Sequence, residues 1–69
     1  MNILYLQQIR EKKKLSKVQL SYQSGIARGY ITELENGKYD NPSVKIVCNL
    51  CKALKVTPND LINEDLYKS

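Results

Sequence analysis

At 69 residues the chain has room for one domain and a thin core. With 42% apolar residues, no Trp and no Phe, its composition argues against disorder and requires a core of Leu, Ile, Val and Ala with a Tyr or two. The net charge of +4 suits an anionic partner; no apolar run nears the ~20 residues that span a membrane, and no basic-then-apolar signal pattern opens the chain, so the expected location is cytoplasmic.

Residues 1–14 read as a first helix. Asn2 is available as its cap, Ile3, Leu6 and Ile9 share an apolar face, and Lys12, Lys13 and Lys14 suit a helix C-terminus. An extended start over residues 3–6 is the alternative. Leu15 then turns inward. Ser16 caps a second helix, Lys17–Ser24, and Gln19 stands where a reciprocal cap needs it. Leu20 should point inward and Val18 partly outward. Gly25 follows, where a left-handed residue is cheap only for glycine. Ile26 is the buried residue of the turn.

A third helix is expected over residues 27–36, ended by Gly37. At about 100° per residue, Ala27, Ile31 and Leu34 fall on one side, and Arg28, Gly29, Thr32, Glu33 and Asn36 on the other. The apolar side anchors such a helix, and the polar side suits a DNA major groove. Asn41-Pro42 marks a loop. Ser43 caps a fourth helix, Val44–Leu54, whose predicted buried stripe is Val44, Val47, Cys48, Cys51 and Leu54. Thr57 and Pro58 begin a last short helix that continues through Leu61 and Ile62. The expected architecture is all-α, five helices in one domain, residues 1–69, with its two-helix motif at about 16–37 and a tail at about 63–69.

Charge is distributed unevenly. Between Arg10 and Lys38 seven basic residues face three acidic ones, whereas from Pro58 onward acidic residues prevail. The positive field therefore lies on the half that holds the two-helix motif. The Cys48-x-x-Cys51 spacing matches metal and redox motifs, but two Cys and no His make half a zinc site. Both cysteines are expected as reduced core residues, with no metal and no cofactor. Without His, paired carboxylates or a Gly-rich phosphate loop, catalysis has no foundation and no catalytic residue is named.

The stretch Leu15-Ser16-Lys17-Val18-Gln19-Leu20, the turn Gly25, the run Ile31-Thr32-Glu33-Leu34-Glu35-Asn36-Gly37-Lys38, then Asn41-Pro42-Ser43 and Ala53-Leu54-Lys55-Val56 stand in fixed order. Together they resemble the phage-repressor and Cro-like (XRE) helix-turn-helix regulators, over nearly the whole chain. The resemblance implies a compact, five-helix, lambda-repressor-like fold and a sequence-specific regulator of transcription, more often a repressor, that binds double-stranded operator DNA. It implies base-facing positions at Arg28, Gly29, Thr32 and Glu33. Lys17, Tyr30, Asn36 and Lys38 fall where phosphates are touched, and Arg10 and Glu35 where an internal salt bridge forms. Arg is the commonest reader of guanine, and a carboxylate such as Glu33 can accept from a cytosine amino group. Three residues depart from the pattern: Ala27 in place of a hydroxyl cap, Ser21 in place of Ala, and Lys55 in place of Gly.

One domain this small offers few base contacts, so a homodimer reading half-sites about one DNA turn apart is expected. Its candidate surface is Ile62, Leu66 and Tyr67, with residues 3–5 beside it. The other class of function is a protein-interaction module, such as an antitoxin or phage-type accessory protein whose main ligand is a protein.

Overall fold

The computed structural model of the chain describes residues 4–39 and 41–64. Five helices follow one another: α1 Leu6–Lys12, α2 Lys17–Ser24, α3 Arg28–Glu35, α4 Val44–Leu54 and α5 Pro58–Leu61. Two of the bounds, those of α2 and α4, coincide with the expected ones because each follows a serine cap. Ser16 Oγ accepts from the Gln19 N–H at 3.0 Å while the Gln19 side chain accepts from the Ser16 N–H at 2.8 Å. Ser43 Oγ accepts from the Ile46 N–H at 3.2 Å.

The first helix is shorter than residues 1–14. Tyr5 is its N-cap, and Leu4 lies before it in an antiparallel bridge with Ile62. Tyr5 N–H donates to the Leu61 carbonyl at 2.7 Å, and its hydroxyl to Asn63 Oδ1 at 3.2 Å. Burial of Leu4 against the end of α5 thus competes successfully with one more helical turn. For the same reason Ile62 does not extend α5: it is an extended residue at φ −80°, ψ 131°. Asn2 and Ile3 lie outside the described residues.

The core joins Leu6, Leu20, Ile31, Leu50, Leu54 and Leu61, all fully buried. Each such side chain stabilises the fold by about 1.5–3 kcal/mol relative to exposure. α2 packs on α3 and α4, α1 on α3, and α4 on α5. The stripe expected on α4 needs correction. Val44 is 80% exposed and Cys48 is exposed, while Leu50, Cys51 and Leu54 are buried. The buried arc is centred on Val47, Leu50, Cys51 and Leu54, a set at i, i+3, i+4 and i+7 that leaves 44 and 48 on its margin. Burial pushes the Cys51 thiol above its usual pKa, and Cys48 stands on the surface as a free thiol. Among the described residues no helix is long and apolar enough to cross a membrane, and no cluster of His, Cys, Asp or Glu could hold a metal.

Two lysines occupy the left-handed region, Lys14 at φ 60° and Lys55 at φ 58°. Lys55 ends α4, and the following Val56 N–H returns to the Cys51 carbonyl at 3.1 Å. A side chain at this φ costs about 1 kcal/mol. Lys55→Gly should therefore stabilise the domain by about 1 kcal/mol and raise Tm by roughly 4–8 °C in a thermal melt. An unchanged or lower Tm would show that the turn relaxes out of this conformation in solution.

Candidate nucleic-acid interface

α2, the turn and α3 form a unit whose geometry is fixed from inside. Gly25 sits at φ 73°, and its N–H closes α2 on the Ser21 carbonyl at 2.9 Å. Ile26, 5% exposed, plugs the turn into the core. Its backbone is held on both sides: Ser21 Oγ donates to its carbonyl at 2.6 Å, and its N–H donates to Ser24 Oγ at 3.2 Å. Ser21, which departs from the usual Ala, thus has its hydroxyl satisfied by the turn. Ser24 is a second brace that periodicity does not reveal, since it acts through the backbone two residues on.

α3 begins at Arg28 after Ala27, which supplies no side-chain cap bond. Ala27 is also exposed, contrary to its expected place on the apolar side. As the residue before the first helical turn, at φ −58° and ψ 139°, it does not follow the 100° rule. The buried face of α3 is Ile31, Leu34 and Glu35. Glu35 is tied to α1 by a two-pronged contact: Arg10 Nε donates to Oε2 at 2.6 Å and Nη2 to Oε1 at 3.2 Å. Arg10 Nη1 also donates to the Leu15 carbonyl at 2.8 Å. Both residues are buried, at 9% and 5% exposure. The Glu35 hydrogen bond raises the Arg10 guanidinium above its ordinary pKa, against the opposing effect of burial. Lys17 Nζ stands 4.0 Å from Glu35 Oε1, at the rim of this pair.

The opposite flank faces outward. Arg28, Gly29 and Asn36 are exposed, and Thr32 and Glu33 are half-exposed. A Cβ built on Gly29 would meet nothing within 4 Å, so packing within the chain does not demand a glycine there. Arg28 borders a shallow hollow shared with Val18, Ser21 and Tyr22. Val18 and Tyr22 are 57% and 90% exposed.

Past the end of α3 the chain folds back. Gly37 is left-handed at φ 77°, and the Lys38 N–H reaches the Glu33 carbonyl at 3.0 Å. The Lys38 ammonium also donates to Glu33 Oε2, and the Tyr39 hydroxyl to Oε1 at 3.2 Å. The bond from Lys38 holds the Glu33 carboxyl below the usual carboxylate range, and the same bond pushes the Lys38 ammonium up. Tyr30 is half-buried and stacks on Tyr39, with ring centres 4.9 Å apart and tilted by 38°. The structure therefore brings Glu33, Lys38 and Tyr30 together around Tyr39, a residue sequence reasoning missed. The contact depends on the reversal at Gly37, and no periodic pattern crosses such a turn.

Of the candidate dimer residues, Leu66 and Tyr67 lie outside the described residues. Ile62 is half-buried and already paired with Leu4. The apolar surface of residue 4 thus meets the end of α5 within the same chain.

The chain matches the family described as Helix-turn-helix over residues 6–61. Among curated proteins it is similar to the HTH-type transcriptional regulator SlrR of Bacillus subtilis (strain 168). The two are 30% identical over 56 residues, 81% of this chain and 37% of that protein. It is also similar to the HTH-type transcriptional regulator SinR of Bacillus licheniformis, 29% identical over 59 residues, 86% of this chain and 53% of that protein. The chain spans less than two thirds of the length of either relative. Among solved structures it resembles the restriction-modification controller protein C.AhdI from Aeromonas hydrophila. The TM-score is 0.75 at 33% identity, over 80% of this chain and 82% of that one. The clp gene regulator ClgR from C. glutamicum gives a TM-score of 0.72 at 29% identity, over 80% and 70%.

Proposed function

The chain belongs to the helix-turn-helix family of the XRE type, and on that premise we propose that it binds double-stranded DNA and regulates transcription. In this reading α3 enters the major groove. Arg28, Gly29 and Thr32 meet base edges, while Lys17, Asn36 and Tyr30 meet phosphates along its borders. The open space around Gly29 lets the helix backbone approach the groove wall closely. The domain acts by binding and not by catalysis. It works as a homodimer on a pseudo-palindromic operator, and it represses by occupying that site.

One observation carries this reading. α3 is clamped to the core by Ile31, Leu34 and the buried Glu35–Arg10 pair, yet its outward flank is left to solvent. A helix fixed on one side and polar on the other is a rigid probe, and a groove about 12 Å wide admits it. The names of SlrR, SinR and ClgR support the regulatory half of the proposal.

Selection of bound duplexes from a random pool, followed by titration against salt, tests it. The expected result is a two-fold-symmetric site whose affinity falls steeply with salt, by a slope of about 0.9 per neutralised phosphate on a log–log plot. No enriched sequence and no salt dependence would sink it. A second reading, docking of a protein partner, draws on the exposed Val18 and Tyr22 beside Arg28. It predicts a stoichiometric partner whose capture is lost in Tyr22→Ala and Val18→Ser variants while salt-sensitive duplex binding is absent.

A further inference from the structure

The outward flank of α3 carries one carboxylate, Glu33, and the fold gives it two partners of its own. Lys38 donates to one oxygen and Tyr39 to the other. The Lys38 ammonium also stands 5.6 Å from the centre of the Tyr39 ring, within reach of its π face. Tyr39 is in turn held by Tyr30. Backbone and side chain agree on the placement, because the Lys38 N–H is bonded to the Glu33 carbonyl as well. Lys38 is thus bonded to Glu33 through both its backbone and its side chain. Its side chain remains 60% exposed and that of Glu33 35%, so a phosphate approaching this end of the helix meets both charges at once.

For a polyanionic partner the two charges have opposite consequences. A free ammonium attracts every phosphate regardless of sequence. A carboxylate on the same flank repels every phosphate. Held together, they nearly cancel at the distance of a passing backbone. We propose that Glu33 is a specificity-determining residue that acts as a counterweight: by holding Lys38 it removes about one unit of indiscriminate phosphate attraction, so that tight binding depends on base contacts made elsewhere on α3. This rests on the duplex-binding reading above. It assigns Glu33 a role other than accepting from a cytosine amino group: each of its oxygens already takes one bond within the chain, and its charge is offset by Lys38. The depressed Glu33 and elevated Lys38 proton affinities agree with a pair that stays charged at neutral pH.

Glu33→Gln tests this without changing the size of a half-exposed side chain. Binding of a selected duplex and of an unrelated duplex would be measured across a salt series, with a thermal melt of each variant alongside. The unrelated duplex should bind roughly threefold more tightly at low salt, with a slope steeper by about 0.9, the effect of one released cation. The selected duplex should gain less, so the ratio between the two narrows, while base preference stays the same at every position. Adding Lys38→Met to Glu33→Gln should abolish the gain. Loss of preference at one position with unchanged affinity for unrelated DNA would overturn the proposal in favour of a base reader. Equal weakening of both duplexes with a lower Tm would overturn it in favour of a structural brace. Salt-sensitive binding by the unaltered chain with an unmoved slope in Glu33→Gln overturns this proposal alone. Absence of salt-sensitive binding by the unaltered chain overturns the duplex reading and this one with it.

Discussion

Glu35→Ala should cost the domain about 3–5 kcal/mol and lower Tm by ~12–40 °C, the largest effect expected of any single polar substitution here. The reason is what remains behind. Arg10 is buried, and its guanidinium would keep the Leu15 carbonyl but lose the carboxylate that accepts from both Nε and Nη2. A buried cation stripped of its counter-charge is far more costly than a missing pair. Total stability for a chain of this length is on the order of 3–10 kcal/mol, so the variant is expected to be partly unfolded at 37 °C. Thermal or urea denaturation checks this directly. The paired replacement Arg10→Met with Glu35→Leu separates the explanations. It removes both charges at similar volume and should recover most of the loss. In that double variant α3 keeps its seat, so affinity for DNA should fall modestly and equally for all sequences. A Tm shift below about 4 °C in Glu35→Ala would mean that water already reaches the pair.

Arg10 and Glu35 lie 25 residues apart and are expected to pair only through the family resemblance, whereas much of the rest is written locally. Five helices in order, the Ser16 and Ser43 caps and the left-handed Gly25 are readable because each is a short-range rule: a hydroxyl before a helix, a glycine after one. The outward set Arg28, Gly29, Thr32 and Glu33 follows from angular spacing on one helix. Failures arise where distant segments meet. Leu4 leaves the first helix because Ile62, at the far end of the chain, offers a backbone partner. The α4 stripe is rotated toward Leu50 in a helix that packs on α2 and α5, and spacing within α4 alone leaves the position of such neighbours undetermined. The Glu33–Lys38–Tyr39 cluster exists only because the chain reverses at Gly37, so the residues assigned separately to base and backbone are in fact bonded to each other. Short-range chemistry thus picks out the helix that the proposal assigns to the groove. How the charges around it are balanced is a property of the folded chain.

Arg28→Ala should relax sequence choice at one position of each half-site, with a loss of about 1–3 kcal/mol against the preferred base, or roughly 5- to 150-fold. The role proposed for Arg28 draws on what surrounds it. It opens α3 at the first helical position, just past the turn that Ile26 anchors, and is exposed beside the hollow lined by Val18, Ser21 and Tyr22. Among the described residues its guanidinium makes no ion pair, in contrast to Arg10 and Lys38. A planar fork with free donors at the leading end of a clamped helix matches the O6 and N7 acceptors of guanine in the major groove. Stability should barely change, because an exposed side chain carries little packing. The discriminating measurement is a panel of duplexes varied at every position, read at two salt concentrations. One position losing its preference, with the salt slope unchanged, supports a base contact. Uniform weakening of the whole panel, with the slope reduced by about one, identifies Arg28 as a phosphate clamp and moves base reading onto Thr32 and the exposed backbone around Gly29.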